Sequence, residues 1–420
     1  MPSRSRIAAS LLRIAALVVL CTSSAVAVPS RPREARGRSE VVPGIEVLLR
    51  DSLHLVRGRR VGLVTNHSGR DRAGVRTIDL LARAPGVRLT AIFGPEHGLG
   101  GVARDGEHIA SGRDSATGVP VYSLYGERLA PTAAMLADVD VLLYDVQDVG
   151  TRGYTFVWTM TLCAEAAGRA GKPFIVLDRP DPIRADVVEG ELMRPAYRSF
   201  TGLHPVPARY GLTPGELLLH LVRTGRVQAN ASVVPMVGYR RSMWWDETAM
   251  PWVNPSPNVR DAEAALLYPG IVFFEATNLA VGRGTTAPFH VVGAPWLSDA
   301  GVIARQLNGL QLPGVRFDST TRTIARGEMY GGRAIPMISI RITSRDSVRV
   351  LDVGAHMMRA IYARHPREWR WKGRGIEELS GSRALRLAVE DGGVERLLAR
   401  WREEAARFRR ESASSFLYAP

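Results

Sequence analysis

Lysine is nearly missing from this chain. Of 55 basic side chains in 420 residues, only Lys172 and Lys372 are ammonium groups, and the rest are arginines. That scarcity excludes a Gly-Lys-Ser/Thr phosphate loop and the Ser-x-x-Lys arrangement of penicillin-binding enzymes. Cysteine is as rare. Cys21 falls in an N-terminal apolar run and Cys163 stands alone after it, so the pattern builds neither a disulfide framework nor a cysteine-based zinc site. There is no Gly-x-Ser-x-Gly elbow for a serine hydrolase. No Gly-x-Gly-x-x-Gly follows the first strand-like segment, which argues against a dinucleotide. The nine histidines include no His-Glu-x-x-His pair. Although Glu96-His97 and Glu107-His108 echo each other, the pattern predicts neither a metal nor any other cofactor.

What is present begins with an export signature. Arg4, Arg6 and Arg13 precede the apolar stretch Ile14 to Cys21 and the small-residue pattern Ala25-Val26-Ala27. This predicts a signal peptide over 1–27, cleaved after Ala27, and a periplasmic or extracellular destination. The apolar stretch falls short of the roughly 20 residues of a membrane span, so no integral membrane segment is expected. Residues 28–42, rich in arginine and proline, read as a disordered linker. A formal net charge of +14 would suit a polyanion. With no nucleic-acid-binding module or aromatic-basic strand pattern, however, no nucleic-acid partner is expected.

The body of the chain alternates short apolar runs with helix-like segments. Arg60 to Thr65, Val87 to Ile92, Val139 to Tyr144 and Pro173 to Leu177 are the clearest runs, the pattern of a parallel sheet covered on both faces. The expected fold class is α/β: a Rossmann-like, mainly parallel sheet domain over 43–296, then a smaller α+β domain over 297–420. In the second part Met337 to Ile342 alternates like a strand, while Glu377 to Glu390 and Val394 to Arg409 read as amphipathic helices. The four runs end in polar pairs, Asn66/His67, Glu96/His97, Asp145/Asp148 and Asp178/Arg179. In a parallel sheet those ends share one edge, where ligands bind. Ile271 to Asn278 reads as a further strand with a polar end. Trp244, Trp245 and Trp252, near the stiff Pro255-Ser256-Pro257-Asn258 loop, suit sugar stacking or a core equally well.

A cleft rich in carboxylates, with amide, arginine and aromatic neighbours, suits cleavage of a glycosidic bond. There one carboxyl protonates the leaving oxygen and a second group acts on the opposite face of the sugar. Glu96, on a glycine-flanked turn beside His97, is the leading candidate for the acid.

These stretches resemble a known family, the NamZ-like exo-β-N-acetylmuramidases, long catalogued as a domain of unknown function. The shared motifs are Gly62-Leu63-Val64-Thr65-Asn66-His67, Phe93-Gly94-Pro95-Glu96-His97-Gly98, Asp145-Val146-Gln147-Asp148-Val149-Gly150 and Leu177-Asp178-Arg179-Pro180. They continue through Pro255-Ser256-Pro257-Asn258 and Gly282-Arg283-Gly284-Thr285 to Gly293-Ala294-Pro295-Trp296. The resemblance implies release of terminal N-acetylmuramic acid from the non-reducing end of peptidoglycan fragments, with a small carbohydrate as the partner and no cofactor. It implies that Glu96 is catalytic with His97 beside it, and that Asn66, His67, Asp148, Tyr154, Asn278 and Arg283 line the cleft. Asp178, Arg179 and Asn258 join them as substrate-binding candidates. Arg283 is the candidate for the lactyl carboxylate, since a guanidinium fork matches a carboxylate. Glu275 is the candidate second catalytic group, and the substrate's own 2-acetamido group is the alternative. Ala276, Val281 and Tyr210 depart from the Gly, Glu and His that the family pattern leads one to expect. A non-catalytic muropeptide or wall-sugar binding protein would use the same cleft.

Overall fold

The computed structural model describes residues 40–420 apart from 102, 104–106, 108 and 109. The expected signal peptide, most of the expected linker and His108 lie outside the described residues. The end of that linker is already folded: Val41 and Val42 are buried, and Val42 bridges Val237.

Pro43 opens α1 (Gly44–Asp51), and β1 (Arg60–Thr65), α2 (Thr77–Arg83) and β2 (Arg88–Gly94) follow. Next come the short β3 (Gly112–Arg113) and β4 (Pro120–Ser123), then β5 (Val141–Asp145), α3 (Phe156–Arg169) and β6 (Phe174–Leu177). The first sheet closes with α4 (Pro214–Arg223) and β7 (Ala231–Val234). α4 begins where its sequence demands. The Glu216 amide donates to Thr213 Oγ1 (3.2 Å) and the Thr213 amide to Glu216 Oε2 (3.1 Å), a reciprocal cap on two otherwise orphaned donors.

The seven strands lie in the order β3-β4-β2-β1-β5-β6-β7, and β3 alone runs antiparallel to its neighbour. Counted along the chain, the six parallel strands take the order 3-2-1-4-5-6, the doubly wound arrangement whose crevice opens where the winding reverses. Here that point lies between β1 and β5. Strand pleat decides which side chains go to which face. Val61, Leu63, Val141 and Leu143 pack under α1 and α2, whereas Val64, Leu142, Tyr144 and Val176 pack under α3 and α4. Both faces are therefore buried, which is why the strands read as continuous apolar runs.

The stretch from Ile271 to Asn278 is not a strand. It completes α5 (Ala262–Ile271) and passes into a 3₁₀ turn, Val272–Ala276. Asp261 caps α5 by accepting the Ala264 amide at 2.7 Å, and Pro269 sits inside the helix near its end. A short apolar run buried on every side has no period to separate strand from helix. Two glycines let α5 cross α7 (Val350–Arg364) at backbone distance: a Cβ on Gly270 would stand 2.0 Å from the Val350 carbonyl oxygen.

A second sheet holds β8 (Val291–Gly293), β10 (Ala334–Ile342) and β9 (Val315–Thr323) in that order, all antiparallel, with α6 (Ala300–Gly309) packed on it. β8 precedes residue 296 yet pairs with β10. The charged C-terminal segment forms α8 (Gly375–Ser380), α9 (Ala384–Asp391) and α10 (Val394–Ser412). Gly381, at φ 94°, ends α8 in the left-handed region and splits the single helix expected over Glu377 to Glu390. The tryptophans belong to the core. Trp245 packs edge-on to Trp252 at 5.2 Å in a cluster with Met236, Tyr239 and Met243. Trp244 is buried, with its indole N–H donating to Asp346 at 2.9 Å. Among the described residues no helix is long and apolar enough to cross a membrane.

Candidate active site

The carboxyl ends of β1, β2, β5 and β6 do share an edge, and their polar residues divide between a cavity and the scaffold. The cavity has a volume of about 260 Å³. Glu96 and His97 enter it from the turn after β2, Tyr154 and Thr155 from the loop before α3, and Tyr268 from α5. Glu275 comes from the 3₁₀ turn, and Arg283 and Phe289 from the loop beyond it. Thus five of the sequence candidates, Glu96, His97, Tyr154, Glu275 and Arg283, meet at one place.

Local backbone explains the placement of Glu96. The chain reverses directly after it, with φ 66° at His97 and 71° at Gly98. A non-glycine residue in that region costs energy and persists where the surroundings impose it. His97 is buried, and its Nδ1–H donates to the Ala103 carbonyl at 2.8 Å. Glu96 is half-buried and accepts a 2.6 Å hydrogen bond at Oε2 from the Thr155 hydroxyl. Opposite in charge to Glu275, Arg283 donates from Nε to its Oε1 at 2.6 Å. Rings link the two carboxylates' surroundings in sequence. His97 meets Phe156, Phe156 meets Tyr154, Tyr154 meets Tyr268 and Tyr268 meets Phe289, all edge-on, and Arg283 lies over Phe289 at 5.2 Å. Such edge contacts each add about 0.5–1.5 kcal/mol beyond burial, so the wall is stiff.

The other candidates do not line this cavity. Asp178 is fully buried and ties three elements together: it accepts Thr213 Oγ1–H (2.7 Å), the Gly215 amide (2.9 Å) and Tyr418 O–H (2.6 Å). Burial raises its pKa to about 6 even though those bonds favour the ionised form. Arg179 pairs with Asp145, itself bonded by the Thr77 hydroxyl, and donates to the Arg70 carbonyl at 2.6 Å. Asn278 holds the 368–370 segment, donating to the Glu368 carbonyl (2.9 Å) and accepting the Arg370 amide (2.9 Å). Asn258 sits in the turn closed by the Ser256–Val259 bridge. For Asp178, Arg179 and Asn278, partners within the protein consume the polar group that looked available.

Asn66, His67 and Asp148 form a second polar set at the crevice between β1 and β5. Asn66 Oδ1 accepts the Ser68 amide (2.9 Å) and hydroxyl (2.5 Å). His67 Nε2–H donates to the Asn254 carbonyl at 2.6 Å, and burial lowers its pKa, so the ring is neutral. Asp148 Oδ2 accepts the Gly150 amide at 2.7 Å and the Tyr210 hydroxyl. Tyr210, where the family pattern leads one to expect His, is thus a donor to Asp148.

Burial raises the Asp148 pKa to about 7, against the opposing effect of those two bonds. The native state therefore keeps a proton that the unfolded chain, with an ordinary Asp value of 3.8, releases. Stability from this group falls as pH rises from about 4 to about 7 and is level above that. Asp148→Asn mimics the protonated acid and keeps both bonds. Relative to wild type it should gain on the order of 2–4 kcal/mol between pH 5 and pH 8, read from urea midpoints. An equal difference at both pH values would refute the raised pKa.

Several cavity residues carried no sequence signal. Tyr268 lies in an apolar helical run where its ring reads as core, and Phe289 (φ 63°) is defined by a strained turn. Arg152, buried, donates to the carbonyls of Glu191 (3.0 Å), Val206 (2.7 Å) and Leu379 (2.8 Å), which staples α8 to the loop carrying Tyr154. Cys163 is buried in α3, and burial pushes its thiol pKa up, so it is an inert core residue. Among the described residues no group of three His, Cys, Asp or Glu could hold a metal.

Comparison with known proteins identifies the family. Family models described as exo-β-N-acetylmuramidase NamZ match this chain, the N-terminal model at residues 61–263 and the C-terminal model at 266–418. The peptidoglycan β-N-acetylmuramidase NamZ of Bacillus subtilis (strain 168) is 36% identical over 398 residues, covering 94% of this chain and 96% of that protein. The chain belongs to the NamZ family. Two solved DUF1343 family proteins from Bacteroides fragilis NCTC 9343 share the fold. One has a TM-score of 0.84 at 34% identity, covering 91% of this chain and all of its own. The other has a TM-score of 0.72 at 26% identity, covering 91% and 99%. The two NamZ models meet just where α5 begins, so the cavity draws Glu96 and Tyr154 from the first matched region and Tyr268, Glu275 and Arg283 from the second.

Proposed function

We infer that this protein is an exo-acting glycoside hydrolase that releases terminal N-acetylmuramic acid from the non-reducing end of peptidoglycan fragments. The observation that carries the site assignment is the meeting of Glu96 and Glu275 on one aromatic-walled cavity. Glu96 serves as general acid. Thr155 engages Oε2, which fixes the carboxyl plane and leaves Oε1 to deliver a proton to the glycosidic oxygen. Glu275 acts on the opposite face of the sugar at the anomeric carbon, completing the two-group scheme. The rings of Tyr154 and Tyr268, set edge-on to one another, offer apolar surface beside the pyranose. The arginines, apolar stretch and Ala25-Val26-Ala27 at the N-terminus support export, which would bring the enzyme to wall-derived substrate.

The test is turnover of an aryl β-N-acetylmuramide alongside a defined glycan chain. Release of chromophore, single muramic acid units appearing from one end of the glycan, and persistence of both in EDTA are expected. Tight binding of fragments without turnover would instead assign a wall-sugar binding protein.

A further inference from the structure

The two carboxylates stand on separate supports. Glu96 is fixed by the hydroxyl of Thr155, on the loop between β5 and α3. Glu275 sits on the 3₁₀ turn, which the C-terminal segment cradles. The Lys372 amide donates to the Ala276 carbonyl at 2.8 Å, and Thr277 bridges Trp371. A Cβ on Gly375, the first residue of α8, would stand 3.3 Å from Ala276 Cβ. Where α8 lies against the loop therefore sets the gap between the carboxylates.

Arg152 joins these supports. Its backbone is pinned in the Thr155 loop: its amide donates to the Ala208 carbonyl at 2.8 Å, and its carbonyl accepts the Trp158 indole N–H at 2.7 Å. Its side chain is fully buried. Nη1 donates to the carbonyls of Glu191 and Val206, and Nη2 donates to the Leu379 carbonyl at 2.8 Å. Leu379 lines the cavity and belongs to the last turn of α8, where carbonyls lack an intrahelical donor. Gly381 leaves room for the contact, since a Cβ there would stand 2.9 Å from Nη2.

A guanidinium buried this way, with carbonyls as its bonded partners, is costly. Burial lowers its pKa to about 10, and the charge of Glu191 only partly offsets that. A neutral side chain could satisfy one carbonyl without this cost. The arginine fork, with five N–H donors in fixed directions, reaches carbonyls of three segments at once.

Resting on the proposed activity, we propose that Arg152 is a positioning residue for catalysis, holding α8 and with it the Glu275 turn at the distance from Glu96 that the reaction requires. The separation of two such carboxyl groups decides how the second one acts. A displacement of about 1 Å at reacting groups costs up to about 10²-fold in rate.

The test measures kcat and KM on a muramyl disaccharide, and binding of N-acetylmuramic acid by calorimetry, for wild type, Arg152→Lys and Gly381→Ala. All are compared per folded molecule, well below each thermal transition. Arg152→Lys keeps the charge, but an ammonium does not span both sets of carbonyls. Its kcat should fall by roughly 10- to 100-fold, while affinity for the released sugar changes far less. Gly381→Ala leaves Arg152 in place and moves the end of α8 instead, because its Cβ falls 2.8 Å from Met193 Cα and 2.9 Å from Arg152 Nη2. It should lower kcat in the same way, and it covers the case in which the first variant does not fold. An arginine that only stabilises the fold would lower the melting temperature and leave kcat intact, and that result in either folded variant would overturn the positioning role. A loss confined to KM and sugar affinity would overturn it as well. A wild type that turns over neither the disaccharide nor an aryl muramide defeats the proposed reaction together with this role, whereas an active wild type with unaffected variants defeats the role alone.

Discussion

Glu96→Gln should lower kcat on a sugar-leaving-group substrate by roughly 10²- to 10⁴-fold, the usual contribution of a positioned general acid. Glutamine keeps the shape of the side chain, and its amide oxygen can still accept the 2.6 Å bond from the Thr155 hydroxyl. The thermal transition and the affinity for product should therefore change little, which isolates the loss to the proton. The leaving group sharpens the assignment. A nitrophenolate departs without much help from an acid, so the variant should lose far less on an aryl muramide than on a disaccharide. Equal losses on both substrates would indicate that Glu96 attacks or stabilises the anomeric centre. Full activity on the disaccharide would move the acid elsewhere.

The largest expected effect on stability is at Arg179. Its side chain is 3% exposed and that of Asp145 is 1% exposed, so the pair is cut off from solvent. Arg179→Met leaves the Asp145 carboxylate buried with the Thr77 hydroxyl as its remaining side-chain partner and removes the donor to the Arg70 carbonyl. Losing one member of a buried pair costs about 3–5 kcal/mol, visible as a lower denaturant midpoint. Converting Asp145 to Asn in the same protein should recover part of that loss, because the stranded charge is gone and the amide can still accept from Thr77. The loss is carried by the whole fold, since the pair joins the ends of β5 and β6 to the loop after β1. KM should hold at temperatures where the variant is folded. A loss under 1 kcal/mol accompanied by a large rise in KM would return Arg179 to the list of substrate ligands.

Glu96 was legible before any coordinates because a motif and a position agreed: Gly-Pro punctuation placed it beyond a buried strand, on the edge where doubly wound sheets bind ligands. Glu275 was legible as a residue but not as a structure. It sits on a 3₁₀ turn after α5, in a stretch whose uninterrupted burial erased the period that tells helix from strand. Asp178 shows the opposite failure. Its strand-end position is the same as that of a ligand-binding residue, yet its oxygens are taken by Thr213, Gly215 and a Tyr418 hydroxyl 240 residues away. No local pattern announces a partner at that separation.

Composition, apolar periodicity and motif order were enough to establish the α/β class, the missing cofactor motifs, the family resemblance and the candidate acid, because each depends on residue type and spacing along the chain. Which polar groups remain available for a substrate depends on contacts between residues far apart in sequence. Only the tertiary structure could decide that Arg179 is spent on Asp145 and that Tyr268 and Phe289 wall the cavity.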